Sequence, residues 1–276
     1  MRKTRWALLV MLALIFILAV PASAITYGEP DDGQHPYVGL IGFYDADGEW
    51  LWRCSGTLLT PTVVLTAGHC TATDAEYGTP VRAQIWFDEF VEIDEENGYP
   101  WFGGTMGTPI PHPDYIGLTI PETHDVGVVI LDTPVTMSRY GQLPELGMLD
   151  DLATRRGHSD TVFTVVGYGL NDIKPEEISL RIRYKALSNL VSLRSALTDG
   201  YNLQTSNNPG QWADGDGISG GTCFGDSGGP VFYGGYDSDL VVGVTSFGLN
   251  ANCTGTDFAY RLDIADSMDF LSQFLP

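Results

Sequence analysis

The chain has 276 residues, of which 43% are hydrophobic, enough for one large domain or two small ones. Acidic residues outnumber basic ones by 35 to 14, which gives a formal net charge of −21 at pH 7. Such a surface repels polyanions, so the composition argues against binding to nucleic acid or to an anionic membrane.

Residues 1–24 have the three parts of a secretory signal peptide. A basic start is followed by an apolar run over residues 6–20 and by Ala22-Ser23-Ala24, a small-x-small cleavage site. The apolar run is shorter than the ~20 residues that a membrane-spanning helix needs, which disfavours an uncleaved anchor. We therefore predict cleavage after Ala24, secretion to the extracellular space and no stable membrane insertion afterwards. The remaining chain would have 252 residues and a net charge of −24, because the leader carries three of the basic residues.

Most of the remaining chain consists of short runs rich in Val, Ile, Leu, Thr and aromatic residues, separated by turn signals such as Asp47-Gly48. Runs such as GTLLTPTVVLTAG, DVGVVILD, TVFTVVGYG and DLVVGVTSFG predict the strands of an all-β barrel or sandwich protein. Residues 133–160 are polar and contain several Pro and Gly, which is typical of a connector between two β-rich halves.

The last segment, DIADSMDFLSQFL, has a different pattern. Ile264, Met268 and Leu271 recur at three- and four-residue steps, which predicts a terminal α-helix. Asp263 is placed to cap its start, and we expect the helix to pack on the second half.

Four cysteines all follow the leader, and an even number in an exported chain predicts two disulfides. Three connectivities are possible, of which the local pairs Cys54–Cys70 and Cys223–Cys253 are the most economical. A zinc site is the alternative, but no CxxC spacing supports it.

Three strings carry the candidate chemistry: LTAGHC, HDVGVVIL and GTCFGDSGGP, which contain His69, Asp125 and Ser227. A serine hydroxyl is a poor nucleophile near neutral pH, so an imidazole must take its proton and a buried carboxylate must hold that imidazole. The glycines around Ser227 would let the amides of Gly225 and Ser227 point at a developing oxyanion. His124, beside Asp125, is interpreted as an accessory or surface residue.

The string GDSGG also fits the G-x-S-x-G nucleophile elbow of esterases and lipases. That fold places its catalytic His after the Ser in the chain, and no His follows Ser227. The regular alternation of strands with helices that it needs is absent too.

These strings resemble the His, Asp and Ser motifs of the trypsin/chymotrypsin family of serine proteases, and the resemblance covers nearly all of residues 25–276. VGYG at 166–169 and TSFG at 245–248 resemble two further family segments. The resemblance implies two antiparallel six-stranded β-barrels with a C-terminal α-helix. The N-terminal barrel would lie in residues 25–140, and residues 141–276 would contain the connector, the C-terminal barrel and the helix.

The resemblance also implies roles for individual residues. The protein would be a serine-type endopeptidase with its site between the barrels and with Ser246 beneath Asp125. Ser246, Phe247 and Gly248 would lie along the substrate backbone. Members of the family usually mature by a cut that exposes an Ile or Val, whose ammonium pairs with the Asp before the catalytic Ser. Here the pair would be Ile25 and Asp226, so that signal cleavage itself would activate the enzyme.

Specificity is where the resemblance weakens. Gly221 stands where members with a preference for Arg or Lys carry an Asp. With Gly248 it predicts a roomy pocket, lined by Thr222 and Phe224, for large apolar or aromatic side chains. Asp257 near the pocket base would instead attract a cation, so we expect broad or mixed specificity.

The remaining expectations concern partners. The resemblance implies protein or peptide substrates, proteinaceous inhibitors and a monomer. No cofactor and no metal are expected, and no ligand spacing supports a calcium site. A protease-fold binding module without catalysis remains the first alternative function, and a secreted esterase or lipase is the second.

Overall fold

The computed structural model describes residues 25–92, 103–154, 161–171, 173, 177–211 and 217–276. The signal-peptide prediction falls on residues 1–24, outside the described residues. Within the described part of the chain, no helix is both long and apolar enough to cross a membrane.

The first barrel follows a two-residue strand, β1 (Glu29–Pro30). Its six strands are β2 (Val38–Tyr44), β3 (Trp50–Thr60), β4 (Val63–Thr66), β5 (Arg82–Trp86), β6 (Thr105–Pro111) and β7 (Gly127–Leu131). They form a closed barrel in the order β2-β3-β4-β7-β6-β5, with antiparallel pairing throughout. Because apolar residues dominate both β4 and β7, the two strands pair as a largely buried core ladder.

The second barrel has the same number of strands. They are β8 (Val162–Gly167), β9 (Tyr184–Ser192), β10 (Asn202–Asn207), β13 (Pro230–Tyr233), β14 (Val241–Gly248) and β15 (Gly255–Arg261), with short strands β11 (Gly210–Gln211) and β12 (Ile218–Ser219) between β10 and β13. The order β10-β15-β14-β13-β8-β9 closes through a β9–β10 pairing. The prediction of two antiparallel six-stranded barrels is confirmed.

The two barrels share an apolar interface. Tyr168, Phe232 and Tyr260 of the second half are fully buried in the same cluster as the interior of the first barrel. A separate cluster fills the second barrel and includes Ile25, which is also fully buried. The cleft between the barrels therefore has a floor of packed side chains from both halves.

Besides a 3-10 turn at Asp150–Thr154, the described residues contain two short helices: α1 (Gly68–Thr71) and α2 (Ala265–Leu271). The predicted terminal helix is thus confirmed, but the predicted cap is wrong. Ile264 holds the cap position without a side-chain bond, while Asp263 binds Arg261 and the Leu149 amide. The helix packs on the second half, where the Ser267 hydroxyl donates to the Arg261 carbonyl. It also contacts the first half, since Phe270 lies 4.9 Å from His112, ring centre to ring centre.

Both predicted disulfides are present, Cys54–Cys70 and Cys223–Cys253. The first joins β3 to α1. Strand β7 ends at Leu131 and β8 begins at Val162, in keeping with a connector in that interval. The domain limits 25–140 and 141–276 stay a prediction.

Candidate active site

His69 lies in α1, directly after the buried strand β4. The disulfide of its neighbour Cys70 anchors this turn to β3. The backbone N–H of His69 donates to Asp125 Oδ1 at 2.7 Å, so the same carboxylate fixes both the backbone and the ring.

Asp125 precedes β7 and is fully buried. Its Oδ2 lies 2.9 Å from His69 Nδ1 and accepts a hydrogen bond from the Ser246 hydroxyl. Burial raises the pKa of Asp125, but the charge and hydrogen bonds of His69 outweigh it and lower the pKa below its ordinary value. Burial lowers the pKa of His69, and the Asp125 charge raises it above the ordinary value. The pair is therefore poised as a carboxylate beside an imidazole that readily gains a proton.

Ser227 sits in a turn that is supported from the first barrel. Its carbonyl accepts a hydrogen bond from the Ser55 amide at 2.8 Å. Gly228 follows with φ +78°, and a Cβ there would collide with the Thr66 hydroxyl and the Ser55 carbonyl. Only glycine fits this left-handed position, so the turn requires a glycine directly after Ser227.

Ser227 and His69 line one cleft of about 1160 Å³ between the barrels, together with Gly225 and Ser246. Among the contacts of the described residues, no hydrogen bond joins Ser227 to the His69 ring. Catalytic hydrogen bonds are often long in the absence of substrate and tighten in the complex.

The amides of Gly225 and Ser227 donate to no acceptor within the described residues. The Phe224 carbonyl accepts from the Leu170 amide at 2.8 Å, and in a trans peptide the next N–H points the opposite way. The Gly225 N–H is therefore directed away from Leu170, and Gly225 has φ +97°. The Gly225 carbonyl is held at 2.9 Å by the Ser55 hydroxyl.

A second cavity of about 540 Å³ adjoins Ser227 and is lined by six of the predicted substrate-binding residues: Thr222, Phe224, Ser246, Phe247, Gly248 and Asp257. The seventh, Gly221, is not among the residues that line the cavity. A Cβ on Gly221 would collide with Asn207 and come within 2.5 Å of Asp257 Oδ2. Gly221 thus leaves room for these two side chains, and sequence analysis missed Asn207.

Asp257 is 6% exposed and lies opposite Gly248 in the β14–β15 ladder. Its carboxylate accepts hydrogen bonds from the Asn207 side chain at 2.9 Å and from the Thr222 amide at 2.6 Å. Burial raises the pKa of Asp257 to about 6, and these hydrogen bonds from Asn207 and Thr222 oppose the rise. The cavity therefore holds a carboxyl group that titrates near neutral pH.

Asp226 is fully buried, and its carboxylate accepts from the Gly169 amide at 2.7 Å and the Cys223 amide at 2.8 Å. Burial raises the pKa of Asp226 to about 7, although these amides lower it in part. No hydrogen bond or ion pair joins it to Ile25 among the described residues. In this chain Ile25 follows Ala24, so its nitrogen is an uncharged amide.

The fold is that of the two-barrel serine proteases. The sequence model of the Trypsin family matches residues 26–268, so the chain belongs to the trypsin family.

Proteins of similar sequence support this assignment to the family. The chain is 25% identical to CLIP domain-containing serine protease B15 of Anopheles gambiae, over 92% of this chain and 72% of that protein. It is 26% identical to the Spaetzle-processing enzyme of Drosophila melanogaster, covering 78% of this chain and only 57% of that protein. It is 26% identical to tryptase of Mus musculus, over 86% of this chain and 89% of that protein. The HL collagenase structure superposes with a TM-score of 0.63 at 18% identity, covering 92% of this chain and 97% of that one.

Proposed function

We propose that this chain is a secreted serine endopeptidase that cleaves peptide bonds through a Ser-His-Asp triad and an acyl-enzyme intermediate. One observation carries the proposal: His69 Nδ1 lies 2.9 Å from the buried Asp125, in the cleft that Ser227 also lines. Because Asp125 engages Nδ1, the other ring nitrogen is left to accept the Ser227 proton.

In this mechanism the Ser227 hydroxyl attacks the scissile carbonyl while His69 takes its proton. Asp125 stabilises the imidazolium that forms, and the Gly225 and Ser227 amides bind the oxyanion. Each such donor is worth ~3 kcal/mol in the transition state. His69 then protonates the leaving amine. A water molecule, deprotonated by His69, attacks the acyl-enzyme in the same way and releases the acyl group from Ser227.

The end of β14 supports binding of an extended peptide. Beyond Thr245 the described residues pair β14 only with β15, so residues 246–248 keep one free backbone edge. A substrate would add there as a strand, with the side chain before the cut in the cavity that contains Asp257. Proteinaceous inhibitors would use the same edge.

A fluorophosphonate probe tests the proposal. We expect the protein that begins at Ile25 to be labelled on Ser227, located by mass spectrometry of the adduct, and Ser227→Ala to lose both labelling and peptidase activity. A well-folded protein that neither reacts nor cleaves a peptide library, while its biological effect survives Ser227→Ala, would instead be a binding module.

The titration of Asp257 gives a prediction for specificity. Below about pH 6 the buried carboxyl is neutral and favours apolar or aromatic side chains, and above it the carboxylate attracts Lys or Arg. The ratio of kcat/KM for Arg over Phe substrates should rise roughly five- to tenfold between pH 5 and 8. Because both substrates use the same His69, its titration cancels in the ratio.

Asp257→Asn is the matched control, since it keeps the shape of the side chain. Its substrate ratio should stay flat over the same pH range. A wild-type ratio that does not change with pH, or an equal rise in the variant, would contradict the assignment of Asp257.

A further inference from the structure

A second cluster of reactive side chains lies outside the cleft, beside the loop that carries Asp125. His112 follows β6, and its amide donates to the Val126 carbonyl at 3.0 Å, which continues the β6–β7 ladder. His124 precedes Asp125 directly. The ladder therefore brings the two histidines together, with ring centres 5.2 Å apart, and α2 adds Asp266.

The candidate ligand atoms of the three side chains lie close together. His124 Nδ1 lies 2.9 Å from Asp266 Oδ1, His112 Nε2 lies 3.6 Å from the same oxygen, and all three ligand atoms are within 4.8 Å of one another. With bonds of about 2.0 Å to each ligand, tetrahedral zinc spaces neighbouring ligand atoms roughly 3.3 Å apart. The observed separations from the Asp266 oxygen lie on either side of that value.

The neighbouring residues orient Asp266, whereas both histidines must move a ring proton to bind a metal ion. The Tyr260 hydroxyl donates to Asp266 Oδ2 at 2.6 Å, which leaves Oδ1 directed at the histidines. His124 Nδ1 lies 2.9 Å from the Asp266 carboxylate, which can only accept, so Nδ1 carries the ring proton in the metal-free protein. Metal binding at Nδ1 moves that proton to Nε2, which lies 4.0 Å from Glu122 Oε1. Metal binding at His112 Nε2 moves the ring proton to Nδ1 and gives up one weak 3.2 Å contact from the Asp114 amide.

The chemistry of the donors selects the class of ion. Two imidazoles and one carboxylate suit Zn²⁺, whereas Ca²⁺ and Mg²⁺ prefer oxygen ligands alone. The side chains of His124 and Asp266 are about one-fifth exposed, so an ion can enter from solvent. The strongly acidic chain attracts cations in general.

We propose that His112, His124 and Asp266 form a Zn²⁺ site that ties the loop before Asp125 to α2. The backbone of His124 is left-handed, with φ 49°, an unfavourable conformation for a residue other than Gly, Asn or Asp. The ion holds His124 in this conformation through its ring. The bound state is therefore more stable against unfolding than the metal-free state.

The experiment uses the secreted chain with Ser227→Ala to prevent self-digestion. Titration of chelator-treated protein with Zn²⁺ by isothermal calorimetry should give one equivalent bound with micromolar affinity, and Co²⁺ should give a tetrahedral absorption spectrum. The melting temperature should rise with Zn²⁺ and return to its starting value in EDTA. His124→Asn, which tolerates the left-handed backbone, and Asp266→Asn should each weaken binding at least tenfold.

His69→Ala distinguishes this site from zinc bound at the catalytic histidine, and it should leave the affinity unchanged. The proposal is overturned if Zn²⁺ does not bind. It is also overturned if binding disappears in His69→Ala, or if both cluster variants keep the wild-type affinity. If His124→Asn fails to fold, Asp266→Asn, which preserves side-chain shape, decides alone.

Discussion

Asp125→Asn is expected to lower kcat by about 10⁴-fold while the protein stays folded. The asparagine retains the shape of the side chain but cannot stabilise the imidazolium, and it presents an amide to His69 Nδ1, which favours the wrong tautomer. The charge and hydrogen bonds of His69 lower the pKa of Asp125 below its ordinary value despite burial, which favours the ionised carboxylate in the wild-type protein. Steady-state kinetics on a peptide substrate measure the loss, and circular dichroism checks the fold.

Ser246→Ala is the matched control for this variant. It removes one hydrogen bond to Asp125 but leaves the carboxylate charge and the contact with His69 in place. We expect a loss of about tenfold, from a bond to a charged group worth ~1.5 kcal/mol. If Asp125→Asn lowered kcat by no more than tenfold, Asp125 would not act in the mechanism as proposed.

The second large effect concerns the first residue of the mature chain. A protein that begins at Ile25 should be active, and the same protein with Ala24 retained should lose at least 100-fold in kcat/KM. Burial raises the pKa of Asp226 to about 7 when Ile25 carries only an amide. A free ammonium at Ile25 would pair with Asp226 and lock the adjacent Gly225 amide for the oxyanion, a donor worth about 10²–10³ in rate.

Both forms can be produced by a cleavable fusion and checked by N-terminal sequencing. Asp226→Asn in the protein that begins at Ile25 should reproduce the loss, because the ammonium then lacks its carboxylate. Equal activity with and without Ala24 would show that activation does not depend on this cut, while the triad proposal would stand on its own test.

The architecture was predictable because its signals are local. Apolar runs and turn dipeptides, each formed by neighbouring residues, predicted an all-β protein, and the resemblance carried by three short motifs implied the two barrels. The local cysteine pairing, chosen as the most economical of three, is the one present. The prediction that Asp263 caps the helix was wrong because Asp263 pairs with Arg261 instead. No local sequence pattern reveals that pairing.

Other features depend on contacts between distant parts of the chain. Asn207 meets Asp257 only after β10 and β15 pair, and Asp266 reaches His124 across 142 positions. The sequence contained a signal for neither contact. The cluster with His112 was missed for the same reason, since its residues share no motif.

Ser55 holds both sides of the nucleophile turn from the opposite barrel: its amide binds the Ser227 carbonyl, and its hydroxyl binds the Gly225 carbonyl. The alignment of the site is consequently a property of the contact between the barrels, and neither barrel contains it alone. A small opening between them would break these bonds before either sheet melts. On heating, activity should therefore be lost at a lower temperature than secondary structure, and heat-inactivated protein should recover as the barrels close again.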